Sequence, residues 1–395
     1  MKTMSEKMLA AILYGDWVPR SDYKPSPEEE RTRKAKHGSR VWRNPVLRLE
    51  DIERPKPGPK QVVIRVRACG ICGSDVHMYE KDSDGYMLYP GMVRLPVVIG
   101  HELSGEVVEV GSDVSELRVG DPVTCVEMWY CGECFNCRRG YFDHCVNLEE
   151  MGFTENGGFA EYLVVDAKYC WKIDGILELY KSEEKAYEAG SLVEPFSVAY
   201  KAMFIRAGGF FPGAYVVVYG CGPIGLACTM LAKAAGAGKV IAFEVIPERA
   251  ELAKKVGADY VFNPRELERE GKSIHEVILD VTGGWGADLQ VEAAGYPPLL
   301  SEMQRCLAVG GKVTWIGRAD RETSIWLEHF QVRSSQIYGS QGHVDMAPFM
   351  WVIRMMSTGK MDPTKIITAR FKLSEIHKAM ERASERRDAK ITIKP

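Results

Sequence analysis

No stretch of this chain approaches the roughly 18–20 consecutive apolar residues that a membrane-spanning helix requires, so a helical membrane protein is excluded. Basic charge is not in surplus: 51 Lys and Arg stand against 54 Asp and Glu, for a net charge of −3. That balance argues against sequence-independent nucleic-acid binding, which needs a strongly electropositive surface. Internal repeats and low-complexity tracts are absent, which removes solenoids and biased linkers from consideration. The apolar run Met8–Tyr14 is followed by no small-residue cleavage site and is interrupted by Gly15-Asp16-Trp17. Ala10–Tyr14 therefore reads as a first strand, and the cytoplasm is the expected compartment. Evenly paired cysteines are lacking too: there are 11, an odd number, which argues against a disulfide scaffold.

What is present is a chain of 395 residues, 46% hydrophobic and 27% charged, long enough for two or three globular domains. Residues 15–45 are polar and irregular, with the mixed-charge run Arg31–Lys36, and read as a long solvated insertion with little core of its own. From Gln61 the pattern turns strand-like, with short valine-rich segments divided by glycine and proline, as in an all-β or α+β domain. Near residue 185 it changes again. Strand-like Tyr215–Tyr219, Val240–Glu244, Leu289–Ala294, Lys312–Ile316 and Gln336–Tyr338 alternate with helical Leu226–Ala235 and Ala250–Val256. That alternation predicts βαβ units on a parallel sheet. Phe349–Met356 and Leu373–Ala383 read as helices, and Lys390–Lys394 as a closing strand.

Three motifs carry chemistry. Gly220-Cys221-Gly222-Pro223-Ile224-Gly225 follows one predicted strand and opens a predicted helix. Its glycines permit a tight turn and let the backbone approach a pyrophosphate at the positive helix end. Glu244 ends the next strand, 19 residues after Gly225, where a carboxylate accepts hydrogen bonds from the adenosine ribose and repels a 2′-phosphate, favouring NAD over NADP. The second motif is Cys131-x2-Cys134-x2-Cys137-x7-Cys145. Four thiolates complete a tetrahedral shell, so a structural zinc is expected, with an iron–sulfur cluster as the alternative. The third is split between Cys72-Gly-Ser74-Asp-Val-His77 and Gly100-His101-Glu102. A thiolate, an imidazole and a carboxylate flanked by glycines form a zinc set with an open position, and Glu194 in Glu194-Pro195 is a further acidic candidate.

With these motifs in this order, the chain resembles the zinc-dependent medium-chain dehydrogenases, the alcohol, sorbitol and threonine dehydrogenase group, from about Met8 to Pro395. The resemblance implies a GroES-like β-rich catalytic domain plus a Rossmann doubly wound parallel sheet. It implies Cys72, His101, Glu102 and Glu194 as catalytic zinc ligands, and Ser74 with His77 as a proton relay. Cys131, Cys134, Cys137 and Cys145 match the structural zinc ligands. Arg249 matches a base beside the adenosine and Lys390 a base near the pyrophosphate, while Ala293, Gly295, Gly317 and Arg318 fall at the ends of later strands on the cofactor side. NAD and two zinc ions per chain, a homodimer or homotetramer, and no nucleic-acid or membrane partner are expected with it.

Glu194-Pro195 places the sequence on the polyol side of the group, and its overall run resembles keto-inositol (scyllo-inosose) dehydrogenases. The insertion at 15–45 is longer than the group usually has and is expected to widen the first hairpin. The expected division is 1–193 catalytic, with the metal lobe at 125–150, then 194–340 for the nucleotide, and 341–395 returning to the catalytic domain. Phe153, Glu155, Arg318, Gln341 and His343 are pocket candidates. The competing readings are a threonine, formaldehyde or simple alcohol dehydrogenase, a zinc-free reductase relative, and a non-enzymatic zinc scaffold.

Overall fold

The computed structural model describes residues 6–319 and 321–395. The first residues of the amino-terminal stretch, Lys2 among them, and Asp320 lie outside that range. The chain divides into two units, Met1–Glu194 with Ile367–Pro395, and Pro195–Ile366. No helix among the described residues is long and apolar enough to cross a membrane.

The first unit is β-rich. The alternation begun at Gln61 becomes the strand Gln61–Ile71, the centre of a seven-stranded sheet. Glu102–Val110 pairs with it on one side and Lys390–Lys394 on the other, both antiparallel. Beyond Glu102–Val110 come Pro122–Cys125 and then Cys170–Lys172, and Ile367–Lys372 closes the opposite edge. The registers Gly70↔Glu102 and Ile391↔Ile71 bring the end of the chain beside the start of the Cys72 segment.

The insertion differs from its reading as a solvated segment. Lys7–Trp17 pairs with Trp42–Glu53 in a hairpin that runs into it, and Trp17 meets Trp42 edge-on at 5.1 Å. Lys34–Ala35 then pairs with Val93–Arg94. Ala35 and Val41 are fully buried, and Lys34 Nζ pairs with Glu149 at 2.9 Å, tying the insertion to the cysteine lobe. The polar composition of the segment conceals this core because only scattered residues of it face inward.

Glu29 organises the insertion. It is 3% exposed at the third position of the helix Pro27–Thr32, whose N-cap is Ser26. Its carboxylate accepts from Tyr23 Oη (2.7 Å), Ser26 N and Oγ (both 2.9 Å) and Lys36 N (2.9 Å), while Ser26 Oγ accepts from Glu29 N, a capping box. Burial alone would push the carboxyl up, but those donors hold it down at about 2.

The second unit is the predicted parallel sheet. Its strands run in the spatial order Tyr260–Phe262, Lys239–Phe243, Tyr215–Tyr219, Ala287–Glu292, Leu307–Trp315, Gln336–Gly339, which is the 3-2-1-4-5-6 order of a dinucleotide fold. The central strands are valine- and isoleucine-rich because both faces are covered. Their side chains pack with Leu267, Val277, Ile278 and Met303 in one core. The division departs from the expected one after residue 340. Lys201 Nζ binds Gln341 O and Asp345, both at 2.9 Å, so 341–366 stays with the second unit and the return begins only at Ile367.

Because Glu29 titrates near 2 when folded and near 4.5 when free, its contribution is complete above about pH 5 and is lost as pH falls toward 2. Glu29→Gln should lower stability at pH 7 by on the order of 2 kcal/mol and by much less at pH 3. Denaturant unfolding of both proteins at the two pH values checks this.

Candidate active site and metal centres

The four clustered cysteines meet as their spacing implies. Cys134 Sγ lies 3.5 Å from Cys137 Sγ and 4.0 Å from Cys145 Sγ, and Cys145 Sγ lies 3.5 Å from Cys131 Sγ. Sulfurs bound to one tetrahedral zinc at about 2.3 Å stand about 3.8 Å apart, so the set fits a single ion. An iron–sulfur cluster spreads its thiolates around several metal atoms. Backbone amides also face these sulfurs: those of Glu133 and Cys134 point at Cys131, and those of Cys131 and Asn147 at Cys145. The amides of Cys137 and Val146 bring the Cys134 thiol down to about 6, whereas burial pushes Cys137 up to about 12.

The second set forms where the strand Gln61–Ile71 ends. Cys72 caps the helix Gly73–Tyr79, and the ligand atoms of Cys72, His101 and Glu102 lie within 4.8 Å of one another. Gly70 makes room for this: a Cβ there would stand 2.1 Å from Glu102 Oε2. Asp75, fully buried, accepts from Cys72 N at 2.8 Å and Gly100 N at 3.3 Å. Its Oδ1 faces His101 Nδ1 at 3.6 Å, which leaves Nε2 for a metal. Burial opposes charge on His101, but the Asp75 carboxylate outweighs it and holds the imidazole well above its ordinary pKa. A metal must therefore displace a proton there.

Lys390 is placed differently from its expected role. It is 1% exposed, and its Nζ donates to Glu102 Oε1 (2.6 Å), Glu102 Oε2 (2.5 Å) and Ile71 O (3.0 Å). All three of its protons are used inside the first unit, so none remains for a pyrophosphate. Burial disfavours the ammonium, but the Glu102 charge prevails and keeps its pKa raised.

Glu194 is buried near this cluster but is not one of the three residues that meet within 4.8 Å. Burial pushes it up to about 7, against the pull of His101. Glu127, also buried, is raised by burial and by Glu194. Ser74 Oγ is buried without a hydrogen-bond partner, and His77 lies three residues on in the same helix, half-buried. The Phe153 ring lies 4.8 Å from the His101 ring and tilted against it, and Glu155 pairs with Arg94.

In the second unit, Gly220 takes φ +84 and Gly222 caps the helix Pro223–Ala234, which holds Pro223, Ile224 and Gly225. A Cβ on Gly225 would strike Gly220 O at 1.8 Å, so the helix can sit this close only with glycine there. Glu244 accepts from the amides of Cys221, Val245 and Ile246 at 2.7–2.9 Å, which fixes its carboxylate against the turn. Arg249 Nη1 would be 3.8 Å from a Cβ on Gly222, beside the face a phosphate would approach. Ala293 and Gly295 leave the strand Ala287–Glu292, and Gly317 and Arg318 leave Leu307–Trp315, all at carboxyl ends of the sheet. Gln341 offers its carbonyl to Lys201, and His343 is buried with its ring 5.1 Å from Phe349.

Three residues escaped the sequence reading. Asp75 stood inside the motif Cys72-Gly-Ser74-Asp-Val-His77, and an acid between those candidate residues was a usable signal. Glu127, an acid in the apolar run Val126–Met128, was a weaker one. Arg94 had none.

A β-rich unit carrying these cysteine, histidine and glutamate sets, together with a parallel dinucleotide sheet, defines a zinc alcohol dehydrogenase. Residues 58–175 match the alcohol dehydrogenase GroES-like domain and residues 223–357 the zinc-binding dehydrogenase domain. The chain belongs to this family, and its chemistry is oxidoreduction at a CH–OH group with zinc and a nicotinamide dinucleotide. Among its relatives is the scyllo-inosose 3-dehydrogenase of Thermotoga maritima, 43% identical over 95% of this chain and 96% of that one. An alcohol dehydrogenase structure from the same organism superposes with TM-score 0.93 at 42% identity, over 98% of this chain and 100% of the other. The L-threonine 3-dehydrogenase of Pyrococcus abyssi is 35% identical over 82% of this chain and 88% of its own.

Elemental analysis should find two zinc ions per chain. Cys134→Ser should lose one of them together with thermal stability, since a closed site contributes folding energy. Cys72→Ser should keep the fold and the lobe zinc while turnover falls below detection.

Proposed function

We propose that the protein oxidises a secondary alcohol on a polyhydroxylated ring, a cyclitol or keto-cyclitol such as scyllo-inosose, with NAD as hydride acceptor. The observation that carries this reading is the buried acidic surround of His101: Glu102, Glu194 and Glu127 are all largely removed from solvent. Such a site favours oxygen ligands and hydroxyl-rich substrates over simple alcohols. The end-to-end likeness to a scyllo-inosose 3-dehydrogenase supports the same substrate class.

Bound at Cys72, His101 and Glu102, zinc would polarise the substrate hydroxyl and lower its pKa. The protein's own residues prepare that step. The Asp75 carboxylate faces the imidazole and favours its charge, and Lys390 holds the Glu102 carboxylate in place. Ser74 Oγ, buried with no partner of its own, would take the hydroxyl proton. His77, at i+3 on the same helix face, passes it outward. Glu194, near neutrality in its pKa, can hold or release a proton beside the cluster. Glu244 selects NAD by binding the ribose hydroxyls and repelling a 2′-phosphate.

The reading extends to assembly and compartment. The strand Gln336–Gly339 is a sheet edge, and Ile337 on it is exposed. An uncovered edge of this kind supports pairing with a second copy through the nucleotide units. None of the 11 cysteines is joined in a disulfide, in keeping with a reducing cytoplasm.

The substrate reading is tested by following NADH formation with cyclitols, keto-cyclitols, sugar alcohols, threonine and cyclohexanol. A cyclitol or keto-cyclitol should exceed cyclohexanol in kcat/KM by about 10⁴-fold, because buried polar groups go unpaired against the bare ring. Equal turnover of cyclohexanol, or a preference for threonine, overturns it.

NAD should be preferred over NADP by about tenfold or more. Glu244→Ser should relax that preference without altering the choice of alcohol, as measured by kcat/KM for both nucleotides.

A further inference from the structure

We propose that Cys125 and Cys170 form a reversible dithiol–disulfide site at the root of the cysteine lobe, separate from both metal centres and open to low-molecular-weight disulfides. The two residues are direct partners in the antiparallel ladder between Pro122–Cys125 and Cys170–Lys172. The neighbouring backbone bonds define what kind of pair they make. Val126 N donates to Tyr169 O at 2.9 Å, and Ile173 N donates to Pro122 O at 3.0 Å. Bonded and open pairs alternate along an antiparallel ladder, so 126/169 and 122/173 are bonded pairs and 125/170 is an open one.

In an open pair the Cα atoms stand about 4.5 Å apart and both side chains leave the same face. That separation lies within the range a disulfide spans. The sulfurs are already 3.8 Å apart, so closing the bond needs side-chain rotation and no change of register. The two thiols are also unequal in access. Cys170 is half-buried and Cys125 fully buried, so solvent reagents meet Cys170 first and Cys125 stands behind it.

The exchange balances as follows. The Cys170 thiol gives up its proton, and its sulfur attacks one sulfur of a disulfide R–S–S–R. A Cys170–S–S–R bond forms and RS⁻ leaves, to be protonated as RSH. Cys125, also losing its proton, then attacks Cys170 Sγ and expels the second RSH. Two protein thiols are oxidised by two electrons, and one small disulfide is reduced to two thiols. The new bond closes a loop that contains the whole lobe, with Cys131, Cys134, Cys137 and Cys145 inside it. In a reducing compartment such a bond is transient and reports oxidation, and it constrains the unfolded chain while it lasts.

The test uses the zinc-loaded enzyme, incubated with hydroxyethyl disulfide, alkylated, and digested without reduction. The expected product joins the Cys125 and Cys170 peptides with loss of two hydrogens, at unchanged zinc content. Dithiothreitol should reverse it, and the oxidised enzyme should melt at a higher temperature. Cys125→Ser should stop at the Cys170 mixed disulfide. Cys170→Ser, at a half-buried position where a hydroxyl is tolerated, should leave Cys125 unmodified, which keeps the test decisive if the buried variant folds poorly. A mixed disulfide persisting on Cys170 of the unaltered protein overturns the proposal. So does a cross-link that appears only after zinc is lost, or no reaction at either cysteine.

Discussion

A lysine ammonium buried against a glutamate carboxylate sits at the centre of the first unit. Lys390 and Glu102 are each 1% exposed, and neither charge could persist there alone, because removing one partner leaves an uncompensated ion out of water. The pair dictates much around it. Glu102 begins the strand Glu102–Val110 and Lys390 begins Lys390–Lys394, on opposite sides of Gln61–Ile71, so three strands must be in register before the charges meet. Gly70 must lack a side chain because the carboxylate occupies that space. Cys72 and His101 then stand beside a carboxylate whose position is already determined. The Asp75 carboxylate faces the imidazole, and its bonds to Cys72 N and Gly100 N lock together the two segments that supply the ligands.

The second unit is built on a different constraint, close approach of backbone to backbone. Gly225 lets a helix rest on the turn before it, and the Glu244 carboxylate spans that turn and the start of the next helix through three amides. Gly295 and Gly317 do the same for the two later loops, where a Cβ would stand within 2.7 Å of neighbouring atoms. The Glu292 carboxylate binds the amides of Ala294, Gly295 and Tyr296. A surface preformed in this way, from amides and glycines at the carboxyl ends of parallel strands, binds a dinucleotide without having to order itself first.

The insertion and the cysteine lobe, both in the first unit, borrow stability from local devices. In the insertion these are one buried carboxylate with its donors and a two-residue strand; in the lobe, four sulfurs within reach of one ion. They are joined to each other through Lys34 and Glu149, so the insertion is anchored to the cysteine lobe.

What the sequence determined by itself is what short spacing can carry. The lobe ligands fall within 15 residues, the glycine turn within six, and Glu244 one strand further on, so local geometry alone brings each group together. Strand alternation and βαβ periodicity likewise foretold both sheets. The tertiary structure decided the rest. Lys390 reaches Glu102 across 288 residues of chain, and nothing near either residue states the register that pairs them. The family resemblance therefore pointed Lys390 to the pyrophosphate, while the sheet assigned it to the carboxylate. The inward faces of the insertion, the retention of 341–366 by the second unit, and the meeting of Cys125 with Cys170 follow the same rule. Contacts closed by long-range strand pairing and burial depend on which face of which neighbour is free, and that is set only once the whole sheet has formed.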